Sequence, residues 1–207
     1  GPLGINIMNV LTDFSQMVKA SAEAGIDVIF SGAGLPLDLP KFSPSDIALV
    51  PIVSSAKAVR MISRWWEQKY ARVPDAFVLE GPLAGGHLGF SQEQIEDPSF
   101  KLEALIPQLC AALDALEQKA GKAIPLIAGG GIFSGADIYD ILSRGASAVQ
   151  MATRFVATEE CDASPAFKQA YVDCKKEDIV IIKSPVGMPG RAIKNDFLKR
   201  AQDKETC

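Results

Sequence analysis

The chain has 207 residues, 48% hydrophobic and 22% charged, with a formal net charge of −4. That is length enough for one domain with a real core, and an ordinary globular balance, so disorder is not the expectation. The charge points to neither nucleic acid nor an anionic membrane as partner, and no apolar run reaches the roughly 18 residues of a membrane span.

In chain order, LGINIM (3–8) reads as a strand, followed by a helix over 12–24 that Thr12 or Asp13 can cap and Gly25 can end. DVIFS (27–31) is the next strand and GAGLPLDLPKFSPSD a Gly/Pro/Ser-rich loop. IALVPIVSS (47–55) is a third strand, leading to a helix over 56–70 that carries Trp65 and Trp66. DAFVLEG (75–81) is a fourth strand, and a long helix over 101–120 shows apolar residues near helical spacing. IPLIAGGGI (124–132) and SAVQMATRF (147–155) are the fifth and sixth strands, flanking a short helix over 136–143. Beyond them, 166–175 reads as helix, DIVIIKS (178–184) as an extended run, SPVGMPGR as a loop and the charged end as a helix or lid.

Continuous apolar strands alternating with helices imply a parallel sheet covered by helices. Polar and glycine residues follow strand after strand, in SGAG, EGPLAGGH, AGGGI and MATRF. A (β/α)8 TIM barrel gathers its site from such strand ends, whereas an open sheet concentrates it at one switch point, so the barrel is the expectation. The four cysteines, Cys110, Cys161, Cys174 and Cys207, form no CxxC pair, which fits a reducing, cytoplasmic setting. Cys110 reads as a buried helix residue.

Three glycines in AGGGIFSGAD (128–137) lie between a strand and a helix start. They serve either an anion approached by backbone amides, aided by the helix dipole, or simply a tight turn at positive φ. MATRF (151–155) leaves the neighbouring strand, and phosphate sites after the last two strands are common in barrels. Together the two segments favour phosphate binding through the amides of Gly130, Gly131, Ala152 and Thr153. No Walker sequence, dinucleotide fingerprint, zinc-ligand cluster or nucleophile elbow competes.

EGPLAGGH holds the sole histidine, His87. Gly85 and Gly86 let the backbone pass close to a planar ligand, and an imidazole above it can take or give a proton near neutral pH. The alternative is a structural histidine bonding a carbonyl. Glu80 is a ligand-facing carboxylate, a loop brace or a surface residue, with the brace ranked first.

Taken together, GINI, EGPLAGGHLGF, PLIAGGGIFSGADI, AVQMATRFVATEEC and SPVGMPGRAIKN resemble the nitronate monooxygenase (formerly 2-nitropropane dioxygenase) family, to which enoyl-ACP reductase II is similar. The resemblance runs from about residue 3 to 197 and implies an FMN-dependent (β/α)8 barrel. The six strands here correspond to the family's third to eighth, so the first two are expected to lie outside these residues, on a longer polypeptide. Without them a six-stranded piece would leave two open edges and should not be stable alone. The barrel is assigned to 1–184, and a loop with tail or lid to 185–207. Residue by residue, the resemblance implies that Asn6 lies near the flavin ring and Gly85 and Gly86 beside it, with His87 the active-site histidine. Gly130, Gly131 and Thr153 match the phosphate clamp, where Ala152 replaces a glycine, a change tolerable at negative φ. Cys207 matches the start of a cysteine-rich tail.

The expected activity is oxidation of an alkyl nitronate with FMN and O2. The alternatives are an NAD(P)H-dependent reductase of an enoyl thioester, which the SPVGMPGR segment also resembles, and a flavin-binding subunit without turnover. A barrel of the inosine-monophosphate dehydrogenase type is set aside, because no cysteine sits at a strand end. The paired tryptophans hint at a homodimer.

Overall fold

The computed structural model describes residues 1–184, 187–198 and 200; Cys207 lies outside them. Strands β1 (Gly4–Met8), β2 (Val28–Gly32), β3 (Ala48–Val53), β4 (Phe77–Glu80), β6 (Leu126–Gly129) and β7 (Ala148–Gln150) form one six-stranded sheet in that order. Every pairing in it is parallel. The main helices between them are α1 (Phe14–Glu23), α3 (Ala56–Tyr70), α5 (Leu102–Ala120) and α6 (Gly135–Ser143).

The alternation of side chains along the strands separates two layers. Ile7, Ile29, Leu49, Phe77, Leu79 and Ala128 share the large core with helix residues such as Val18, Ile62, Trp66, Ile106 and Leu109. The opposite face gathers Val50 and Val78 with Val28, Phe30, Ile52 and Ile127, and these come from strands alone. Helices therefore cover one face only, and the strands run in sequence order. That is the winding of a barrel wall, since a doubly wound sheet carries helices on both faces. Among the described residues the arc is not closed: β1 pairs only with β2 and β7 only with β6, so in place of the eight-stranded closure expected from the sequence these residues form a curled sheet of six.

Local chemistry sets the boundaries. Ser55 caps α3 by accepting from the Ala58 amide at 3.3 Å, and Gly121 ends α5 at φ 66°. Asp13 makes no side-chain cap bond, and α1 starts later than expected. Among the short elements that went unanticipated are α2 (Leu39–Phe42), α4 (Gln92–Glu96) and a 3₁₀ turn over Pro98–Phe100. Cys110 is half-buried rather than buried, because its thiol reaches outward to the Gly145 carbonyl at 3.6 Å.

After β7 come α7 (Thr153–Val156) and α8 (Pro165–Asp173), and then β8 (Ile179–Lys183) and β9 (Pro189–Ile193). The segment expected to be a loop thus contributes a strand. β9 lies antiparallel between β8 and the two-residue β5 (Gly86–His87), forming a second, small sheet. No helix among the described residues is long and apolar enough to cross a membrane.

The two tryptophans divide cleanly. Trp65 is 41% exposed, with the Lys69 ammonium 5.1 Å from its ring, whereas Trp66 is fully buried. The Trp66 indole donates to the Pro36 carbonyl at 3.1 Å, which ties the loop after β2 to the core. Trp66→Ala should cost about 3–5 kcal/mol, read as a lowered urea midpoint at unchanged slope, while Trp65→Ala should shift it by under about 1 kcal/mol.

Candidate active site

The ends of β4, β6 and β7 stand in one row, with Glu80 paired to Gly129 and Gly129 to Gln150. By alternation from Val78, Glu80 lies on the helix-free face. A β-carbon at Gly129 would sit 3.4 Å from that of Gln150, so glycine keeps room between the two longer side chains. Glu80 is half-buried and carries no hydrogen bond or ion pair among the described residues, and burial pushes its carboxyl up to about 7. The brace reading of Glu80 is therefore corrected, because a brace needs a partner.

The brace is Arg191, from β9. Its Nη2 donates to the Pro82 carbonyl at 2.8 Å and its Nε to the Ala84 carbonyl at 3.1 Å. Around it, Gly86 pairs with Arg191, His87 pairs with Gly190, and the Leu88 amide donates to the Pro189 carbonyl at 2.8 Å. From the other side the Ser54 hydroxyl donates to the Gly89 carbonyl at 2.8 Å. Gly86 takes φ 74°, a conformation that a side chain would strain, and β-carbons at Gly85 and Gly86 would meet only open space. His87 is half-buried, and its imidazole makes no hydrogen bond among the described residues, unlike a structural histidine satisfied by a carbonyl.

Below this loop runs the glycine turn. Gly130 has φ 101°, and a β-carbon there would lie 3.0 Å from both the Ala84 nitrogen and the Gly81 oxygen. At Gly131, with φ 79°, it would lie 2.9 Å from Leu83. Both glycines thus serve the close approach of two loops as well as the turn itself. The start of α6 is already occupied. Asp137 Oδ2 accepts from the amides of Phe133 and Ser134 at 3.1 and 2.8 Å, and the Asp137 amide donates to Ser134 Oγ. Those bonds, chiefly the Ser134 amide, hold the Asp137 carboxyl below its usual range. The helix dipole expected to attract an outside anion thus already faces a carboxylate. The amides upstream, at Gly130 and Gly131, take no part in this box.

β7 ends earlier than expected, at Gln150, and the chain turns into α7 at Thr153. Ala152 has a negative φ of −125°, so no left-handed conformation demands a glycine there. Arg154 joins this exit to the glycine turn. It donates to the Phe133 carbonyl at 3.0 Å, with its guanidinium carbon 4.7 Å from the centre of the Phe133 ring.

Glu80, Gly85, Gly86, His87, Gly130 and Gly131 are therefore brought together, and Ala152 and Thr153 are linked to them through Arg154. Asn6 stands apart: it is exposed on edge strand β1, paired with Phe30, on the same face but three strands from β4. Sequence reasoning missed Arg191 and Arg154, whose partners are backbone carbonyls far along the chain. It also missed Ala33, held at φ 53° beside Gly34 at the end of β2; SGAG carried that signal.

A family model described as nitronate monooxygenase matches residues 2–207. One relative is the Mycobacterium tuberculosis (3aS,4S,5R,7aS)-5-hydroxy-7a-methyl-1-oxo-octahydro-1H-indene-4-carboxyl-CoA dehydrogenase, 27% identical over 97% of this chain and 51% of its own length. A probable nitronate monooxygenase of Staphylococcus aureus is 33% identical over 63% of this chain and 35% of its own. Among solved structures, FabK from Thermotoga maritima superposes with a TM-score of 0.76 at 29% identity, covering 99% of this chain and 58% of that one. The chain thus spans about half the length of relatives that match nearly all of it. With the helix-covered parallel arc and the histidine loop above its glycine turn, these matches lead to one conclusion: the chain belongs to the nitronate monooxygenase family.

Proposed function

We propose that this protein is an FMN-dependent oxidoreductase that oxidises alkyl nitronates with molecular oxygen. The observation that carries the reading is the meeting of two loops: a β-carbon at Gly130 would lie only 3.0 Å from Gly81 and Ala84, in the turn that leads to His87. A phosphate-bearing, planar cofactor and a small anionic substrate call for free backbone amides and a proton-handling side chain on neighbouring loops, and the His87 imidazole makes no hydrogen bond among the described residues.

The residues fit FMN. Gly130, Gly131, Ala152 and Thr153 would hold the phosphate through backbone amides. The open space over Gly85 and Gly86 suits the edge of a flat ring, with Glu80 facing the same side and Asn6 completing the ring's surroundings. When bound, FMN supplies the electron-transfer chemistry. His87 binds and orients the nitronate's anionic nitro group and holds or moves a proton at its imidazole nitrogen. Glu80, protonated for much of the time near pH 7, can offer an O–H where an ordinary glutamate would present only a charge. Buried apolar neighbours such as Leu88 and Phe90 limit water beside the histidine. The eight-stranded barrel, with two strands from outside these residues, belongs to the same proposal, as do a cytoplasmic setting and a homodimer contact near exposed Trp65.

A second reading is an NAD(P)H-dependent reductase of an enoyl thioester. It is favoured by β9, which carries Pro189–Arg191 of the SPVGMPGR segment alongside the histidine loop, by the FabK match over 99% of the chain, and by the carboxyl-CoA in the name of the dehydrogenase relative. A flavin-binding subunit without turnover is the outcome if neither activity appears.

Anaerobic addition of a nitronate should bleach the flavin absorbance of the FMN-bound protein; bleaching by NADH alone would select the reductase. His87→Asn should lower turnover by about 10²–10⁴-fold with FMN still bound, and flavin loss in that variant would count against the assignment.

Glu80 gives a stability test with a definite sign. Below about pH 4.5 its carboxyl is protonated in the folded and unfolded chain alike and carries no penalty. As the pH rises to about 7 only the unfolded chain ionises readily, so folding stability should fall, by at most about 3 kcal/mol. Glu80→Gln should flatten that decline, measured as apoprotein melting temperatures from pH 5 to 8.

A further inference from the structure

The histidine loop is short of internal restraint. Gly81, Gly85, Gly86 and Gly89 fall within nine residues, and Gly85 and Gly86 border open space. Glycine-rich backbone samples many conformations, so a side chain mounted on it is placed accurately only if something outside the loop fixes it.

The β8–β9 hairpin is that outside element. Arg191 reaches back 107 and 109 residues to the carbonyls of Ala84 and Pro82. We propose that Arg191 is a positioning residue for His87: its guanidinium, laid across these two carbonyls, sets the path of the loop so that hairpin and imidazole move as one unit. This rests on the proton-handling role assigned to His87 above.

The chemistry of the contact favours positioning over simple packing. The guanidinium is half-buried, with no carboxylate within ion-pair distance among the described residues, and burial lowers its pKa. A cation in that setting is costly unless its hydrogen bonds are good, and an apolar residue would cover the same surface more cheaply. What the guanidinium adds is a planar fork whose two donor arms span two carbonyls of one turn, a geometry a lysine ammonium does not reproduce. The ladder bonds of Gly86 and His87 to β9 hold the far end of the same turn. Arginine fork and ladder together fix both sides of the two glycines that precede the imidazole.

The test joins exchange measurements to a double-mutant cycle. In Arg191→Lys, hydrogen–deuterium exchange should quicken at residues 82–89 and stay unchanged at 126–131, with FMN bound at the same stoichiometry. Turnover should fall about ten- to a hundredfold, since small displacements of a catalytic group have effects of that size. In the His87→Asn background the same substitution should cause no further loss, because its effect passes through the histidine. Unchanged exchange at 82–89, or an equal loss of turnover in both backgrounds, would overturn the proposal. Full turnover in His87→Asn alone would overturn the role given to the histidine, and the proposal with it. Should Arg191→Lys fail to fold, Arg191→Gln, which retains one donor arm, is judged by the same criteria.

Discussion

Everything at the mouth of the strands depends on one close contact, that of the Gly130 backbone against Gly81 and Ala84. Parallel β4 and β6 hold their ends side by side, and the loops leaving them then meet at a separation that a β-carbon at Gly130 would crowd. The glycine is therefore fixed twice, by its left-handed dihedral and by the turn it supports. An alanine there would be strained in φ and would push the histidine loop away from the sheet. The amides of the glycine turn and the imidazole are consequently parts of one object.

The two faces of the sheet explain why the site lies where it does. Helices cover the outer face with a continuous apolar core, so chemistry placed there would have to displace packed side chains. The inner face is lined by strand residues, apolar through the middle of the arc and polar at Glu80 and Gln150 in its last row, with Asn6 exposed on the edge strand β1. The Glu80 carboxyl in that row is half-buried and has no partner among the described residues, and its raised pKa is the electrostatic mark of that position.

Much of this was legible in the sequence. The strands and long helices follow from apolar runs and helical spacing, and 56–70 agrees at both ends because Ser55 and the residues after Tyr70 punctuate it. His87 and the glycines were visible because their residue types are informative wherever they occur. What escaped were contacts to main-chain carbonyls. Arg191 sits in a segment that read as a loop, and nothing near it in sequence names Pro82 or Ala84 as partners. Glu80 was misjudged for the converse reason: a carboxylate next to glycines suggests a brace, and only the packed structure leaves it without a donor. The helix dipole was credited to an outside anion because the capping role of Asp137 was overlooked, although Ser134 three residues earlier was its signature.

The arginine clamp also says something about how such a site can change over evolution. Arg191 grips carbonyl oxygens, which every residue type supplies, and Leu83 between the two gripped positions is largely exposed. The clamp is therefore indifferent to the side chain at 83, between buried Pro82 and Ala84, but strict about how many residues lie there. The chemistry of that one rim position can change, while an insertion or deletion would slip the carbonyls out of register with the fork. Spacing between the strand end and the histidine is thus what the clamp measures, and the side chain at 83 is what it leaves free.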